Sequence, residues 1–121
     1  MTRSKAIIRR ATKSDIDGFV GDEGRPTVKA WVIDVDGRAI GLGGLAFANG
    51  RWFAFCDLSD EARHYKRAIV KAGRIVMDEA RRAGHQMIYA EADEHEPMAK
   101  RWLERNGFKQ DTKTRCYRWQ A

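Results

Sequence analysis

The 121 residues suffice for one hydrophobic core and are too few for two, so a single domain over residues 1–121 is expected. An apolar content of 43% marks a globular chain rather than a disordered one, and no apolar run is long enough to span a bilayer. The formal net charge of +6 favours an anionic partner: a phosphate-bearing cofactor, a nucleic acid or cellular polyanions.

The opening MTRSKAIIRR is basic but lacks the apolar stretch of a signal peptide, and a cytoplasmic location is expected. Residues 6–11 (AIIRRA) read as a first strand. Thr12, Ser14 and Asp15 offer capping groups for a short helix over residues 15–20. Residues 21–26, with two Gly and one Pro, read as a loop. Residues 29–35, 38–47 and 51–58 follow as three apolar runs, separated by Asp36-Gly37 and Asn49-Gly50. Both dipeptides tolerate positive φ in a type I′ turn, so the three runs form an antiparallel meander. Gly41, Gly43 and Gly44 in the middle run indicate a bulge or a close approach of another backbone.

After Leu58 the period changes. Ala62, Tyr65, Ile69, Ala72, Val76 and Ala80 recur at three- and four-residue spacing, which places them on one face of a long helix ending near Arg82. Gly84 is a stop signal. Residues 86–93 (QMIYAEAD) form the next strand, and residues 97–106 a short helix with Pro97 in its first turn and Gly107 just past its end. Residues 112–119 (TKTRCYRW) have the composition of a final strand, and its Tyr117 and Trp119 offer a surface for a homodimer. The order predicts an α+β fold: helices on a mixed, mostly antiparallel sheet. The long helix must cross over between two strands, which makes those strands parallel neighbours. Cys56 and Cys116 both fall in strands and read as buried free thiols, as suits a reducing compartment. Two cysteines support neither a disulfide framework nor a zinc site.

Three segments carry the functional signal. The first is the opening IIRRATKSDID, a strand leading into Ala-Thr-x-x-Asp. The second is Arg63-His64-Tyr65-Lys66-Arg67-Ala68, at the start of the long helix. The third runs from Glu96 to Phe108, with Ala99, Glu104, Gly107 and Phe108 at set intervals. Over nearly its whole length the chain resembles the GNAT family of acetyl-CoA-dependent N-acetyltransferases, and its RWL…GF segment resembles the small phage-type members. In that family the helix start reads Arg/Gln-x-x-Gly-x-Gly/Ala; Arg63 and Ala68 match it, and Lys66 replaces the middle glycine. The resemblance implies acetyl-CoA as co-substrate, held by Arg63, His64, Lys66, Arg67 and Ala68 at its phosphates. Backbone groups of the segment from Cys56 to Leu58 would hold the pantetheine arm.

Physical chemistry supports such a site independently. Unpaired N–H groups at a helix N-terminus carry the positive end of the helix dipole and can cradle a diphosphate. The basic residues Arg63, Lys66 and Arg67 are unfavourable beside that dipole, and a bound anion offsets the cost. The competing reading is that Ser59-Asp60-Glu61 caps the helix earlier, leaving the basic residues as a solvated face. Lys66 either obstructs one phosphate position or supplies an ammonium to it. In the last segment Glu96 stands for the family's Asn and Leu103 for its Tyr; Leu103 cannot donate the proton that this tyrosine often gives to the departing thiolate.

Direct attack on a thioester needs a neutral amine, which a carboxylate can generate. Asp57 and Glu91 are the catalytic candidates, and Asp93, Glu94 and Glu96 are candidates for binding a cationic acceptor. Each also reads as an ordinary solvated acid. His64, His85 and His95 lack the spacing of a metal site. Asp34-Val35-Asp36-Gly37 resembles the start of a calcium loop but has Leu45 at the twelfth position, and reads as a hairpin turn. Two other functions compete with the enzyme: an inactive GNAT-like acyl-CoA-binding or structural module, and a nucleic-acid-binding domain using the basic long helix. Asp78 and Glu79, interleaved on that helix, count against the last.

Overall fold

The computed structural model describes residues 5–20, 27–92, 97–112 and 116–121. A seven-stranded sheet runs β1 (Ala6–Arg10), β2 (Thr27–Val35), β3 (Arg38–Ala48), β4 (Arg51–Leu58), β5 (Met87–Ala90), β7 (Tyr117–Gln120), β6 (Lys109–Gln110) in spatial order. All neighbouring pairs are antiparallel except β4 and β5, which are parallel. The helices are α1 (Lys13–Val20), α2 (Lys66–Arg82) and α3 (Pro97–Arg105), with a 3-10 turn over Asp60–His64 ahead of α2.

The meander forms as its turns dictate. Asp36 and Gly37 have φ of 54° and 81°, and Asn49 and Gly50 have φ of 53° and 76°, the positive pairs that two-residue hairpins require. The Asp34 carboxylate accepts from the Gly37 N–H at 2.8 Å, so its role in the first turn is structural, as the hairpin reading expects. Gly44 lies where β2 passes closest: a Cβ there would sit 2.1 Å from the Lys29 carbonyl oxygen. α1 begins two residues earlier than the sequence signal. Thr12 and Asp15 form a reciprocal cap, in which the Asp15 N–H donates to Thr12 Oγ1 at 3.2 Å and the Thr12 N–H donates to the Asp15 carboxylate at 2.8 Å.

α2 and α3 pack on one face of the sheet. Ile69, Ala72, Val76, Met77 and Ala80 form the buried stripe of α2, and α3 adds Leu103. Trp102 reaches across α2 to Gly73, and its indole N–H donates to the Ile69 carbonyl at 3.4 Å. The largest cluster joins Leu45 and Ala54 of the meander to Ile88, Tyr117 and Trp119 beyond it. On the opposite face Ala30, Val32 and Leu42 pack with Ile16 of α1 and with Phe55.

Four sequence expectations change. The helical period of Ala62 and Tyr65 belongs to the 3-10 turn and to the residue after it, so α2 starts only at Lys66. Ser59 precedes that turn, and its hydroxyl donates to the Ile40 carbonyl at 2.7 Å, so it does not cap α2. The thiols are not buried: Cys56 is exposed and Cys116 is half-buried. Cys56 pairs with Gly43 of β3, but on the other edge of β4 it lies beyond the one register pair with β5. Tyr117 and Trp119 are buried in the core, and β7 is flanked by β5 and β6, so the final strand presents neither side chain for a homodimer.

Candidate acyl-CoA site

The sheet divides at its parallel pair. Phe53 opposite Tyr89 is the one register pair that joins β4 to β5, although β4 continues to Leu58. β4 stays bonded to β3 along its whole length, and β5 stays bonded to β7 over four pairs. Beyond Phe53 the two halves therefore diverge, and a cavity of about 380 Å³ occupies the gap. Cys56, Asp57 and Leu58 of β4 line one wall and Glu91, just after β5, another. Lys66 and Ile69 of α2, with Met98, Trp102 and Leu103 of α3, close it from the helical side.

Strand alternation gives this cleft two sides. Ala54 packs in the cluster beneath α2 and α3, whereas Phe55 packs with Leu42 on the α1 face. Cys56 and Leu58 share the parity of Ala54, and Asp57 shares that of Phe55. Tyr89 pairs with Phe53 and so shares the side of Asp57, and Glu91 follows just past the end of β5. The backbone between Cys56 and Leu58 crosses from one side to the other.

The start of α2 borders the cleft. Its first turn contains no acid, and no side chain caps it. The nearest acid in sequence, Glu61, is engaged elsewhere: Arg38 Nη1 and Nη2 donate to its two oxygens at 2.8 and 2.9 Å and hold its carboxyl below the usual range. A helix N-terminus that lacks an acid and is flanked by Lys66 and Arg67 attracts an anion. A second cavity, of about 720 Å³, lies on the β1 side of this turn. Arg63, His64, Lys66, Arg67 and Ala68 line it, so Lys66 borders both cavities.

No family model and no curated protein matches the sequence. Solved structures do match the fold. An N-acetyltransferase of Staphylococcus aureus superposes with a TM-score of 0.69 at 15% identity, covering 97% of this chain and 99% of its own. A Desulfovibrio desulfuricans protein assigned to the GNAT family gives 0.66 at 16% identity, covering 96% and 99%. The AtaTR structure bound with AcCoA gives 0.57 at 13% identity, covering 95% and 92%. The chain has the GNAT fold.

Within the GNAT fold the structure sorts the residues singled out from sequence. Cys56, Asp57, Leu58, Lys66 and Glu91 meet in the cleft. Arg63, His64, Arg67 and Ala68 do not line it; they line the neighbouring cavity. Asp93, Glu94 and Glu96 lie outside the described residues. Leu103, at the position of the family's tyrosine, is 4% exposed and lines the cleft as an apolar wall. Sequence reasoning missed Arg101 and Arg105, which add two cations to the α3 side of the cleft. Their i, i+4 spacing was the available signal. Among the described residues no group of three or more His, Cys, Asp or Glu side chains is placed to hold a metal ion. No described helix is long and apolar enough to cross a membrane.

Proposed function

We propose that this protein is an acetyl-CoA-dependent N-acetyltransferase that passes the acetyl group to an amine by direct attack. The observation that carries the reading is the divergence of β4 from β5 after Phe53–Tyr89, with a cavity in the gap that runs to the uncapped start of α2. The pantetheine arm would lie along Cys56 to Leu58 and the diphosphate at the first turn of α2 beside Lys66. Acetyl-CoA in the AtaTR structure, a protein of the same fold, supports the choice of ligand.

In the reaction the amine nitrogen bonds to the thioester carbonyl carbon, the C–S bond breaks, and the sulfur leaves as a thiolate. The nitrogen gives up a proton and the thiolate takes one. Asp57, on the side opposite α2 and α3, and Glu91, just past the end of β5, would hold the cationic amine and accept its proton. Backbone N–H groups of β4 freed from pairing would stabilise the developing oxyanion. Leu103 supplies no proton to the thiolate. This one residue favours a second reading, a GNAT-fold acyl-CoA-binding module without turnover.

Calorimetric titration with acetyl-CoA and with CoA tests the proposal. Micromolar binding of both, with acetylation of at least one member of a panel of amines, is the expected result. No binding at millimolar ligand overturns both readings. Binding without turnover over the panel favours the second.

A further inference from the structure

One ionisable group outside the cleft sits where the two halves of the sheet meet. His85 lies between α2 and β5, and its backbone is locked there. Its N–H donates to the Ala80 carbonyl at 3.0 Å, and the N–H of Gly84, whose φ is 80°, donates to the Arg81 carbonyl at 3.1 Å. The next residue, Gln86, accepts from the Ala121 N–H at 3.0 Å. The imidazole packs on Trp52 of β4, with ring centroids 4.6 Å apart. Trp52 immediately precedes Phe53, whose pairing with Tyr89 is the one register pair between β4 and β5. The contact therefore braces the closed end of the cleft. His85 Nε2 is buried and has no hydrogen-bond partner among the described residues. A proton there would be a buried, charged donor without an acceptor. Two charged side chains act on the ring, Lys29 from β2 and Glu79 from α2. The Lys29 ammonium lies 5.8 Å from the Trp52 ring centroid, so a second cation against that indole meets repulsion. Glu79 already accepts from Arg82 at 2.6 and 2.9 Å and from Lys29 at 3.5 Å. Trp52 of β4 and Ile88 of β5, on the same face, carry no charge. Burial and Lys29 lower the imidazole pKa below its ordinary value, against the opposing pull of Glu79.

We propose that His85 is a pH-sensitive brace of the β4–β5 junction: the neutral ring, seated on Trp52, holds the closed end of the cleft, and its protonation releases that end. A released ring takes up its proton in water, at the ordinary imidazole value of about 6.5. Because the seated ring is held neutral, the brace is complete above about pH 6.5 and weakens as the pH falls below it. Release is local, since β2, β3 and β4 are paired with one another along their lengths and do not depend on this contact.

Backbone amide hydrogen exchange tests this, read by nuclear magnetic resonance on the full chain at pH 7.5 and pH 5.5 and corrected for intrinsic exchange rates. In the native protein the protection of residues 52–54 and 88–90 should fall severalfold over that step. The ceiling is about tenfold, the factor by which a free imidazole favours its protonated form at pH 5.5. Protection of Val32 and Leu42, in the pairing of β2 with β3, should stay unchanged. His85→Phe keeps an aromatic ring on Trp52 that cannot take a proton, so its junction amides should hold their protection within about twofold. His64 and His95 titrate in both proteins and cancel from the comparison. Far-ultraviolet circular dichroism checks that the variant is folded; His85→Gln, also uncharged over this range, takes its place if it is not. An equal fall in the native protein and the folded variant overturns the inference. A fall that spreads equally to Val32 and Leu42 also overturns it, because His85 would then act on the stability of the whole domain. Exchange is measured without acetyl-CoA, so failure of the enzyme reading leaves the result intact.

Discussion

Lys66 occupies the position where the resembling family has a glycine, and its surroundings decide between obstruction and compensation. Its side chain is exposed, borders both cavities and has no partner among the described residues. A long flexible ammonium in that setting can move aside for a phosphate and then bind it. Lys66→Gly is therefore expected to weaken acetyl-CoA binding about tenfold by calorimetry, as removal of one charge-assisted hydrogen bond does. Tighter binding by the variant would show that the side chain obstructs. The glycines of β3 give a contrasting pair. A Cβ on Gly44 would fall 2.1 Å from Lys29 O and 2.8 Å from Ala30 Cα, both backbone atoms that cannot yield without displacing β2. A Cβ on Gly43 meets nothing nearer than Phe55 O at 3.6 Å. Urea denaturation should show Gly44→Ala losing about 3 kcal/mol or more and Gly43→Ala less than about 1 kcal/mol. Equal losses would mean that close packing of β2 on β3 is not what demands a glycine at 44.

At the scale of elements, one guanidinium joins three of them. Arg9 of β1 donates from Nη1 to the Asp15 carboxylate of α1 at 2.6 Å and from Nε to the Asp34 carboxylate of β2 at 2.8 Å. Asp34, 6% exposed, is the one buried charged residue among those described. Hydrogen bonds from Arg9 hold both carboxyls below the usual carboxylate range. Because the folded values lie below the unfolded ones, the unfolded chain takes up protons first as the pH falls. The trio's contribution is complete above the unfolded value of about 4 and is lost as the pH drops through the folded values. The native urea midpoint should fall steeply between pH 5 and pH 2, whereas Arg9→Ala should start lower at pH 7 and fall less. Parallel curves would remove Arg9 as the cause. Of these elements the sequence showed the strands and turns well, because Asp-Gly and Asn-Gly act locally. The trio was not legible, since it pairs residues 25 positions apart. The start of α2 was misplaced for a related reason: a 3-10 turn continues the apolar period into Ala62, and only the hydrogen bonds distinguish it.

At the scale of the molecule, one register pair, Phe53–Tyr89, joins the β1–β4 half of the sheet to the β5–β7–β6 half. The parallel relation of β4 and β5 follows from the crossover helix between them and was legible; the place where they part was not, because it depends on how two separate strands sit on a common core. That parting joins the helical face, with Lys66, Arg101 and Arg105, to the face of Asp57, and Glu91 lines the same cavity. The cationic side suits the coenzyme and the acidic side suits an amine, so a carboxylate change should act on the second substrate alone. Asp57 is the sharper test, because its backbone is fixed by pairing with Leu42 in β3, whereas Glu91 follows the end of its strand. With an amine identified from the panel, Asp57→Asn should lower kcat/KM about a hundredfold, as loss of a proton acceptor does. The calorimetric affinity for acetyl-CoA should stay within about twofold, since binding on the helical side uses none of that carboxylate. A fall in acetyl-CoA affinity that matches the fall in rate would place Asp57 with the coenzyme and reverse the two sides. An unchanged rate would pass the proton to Glu91, and Glu91→Gln would then carry the hundredfold loss.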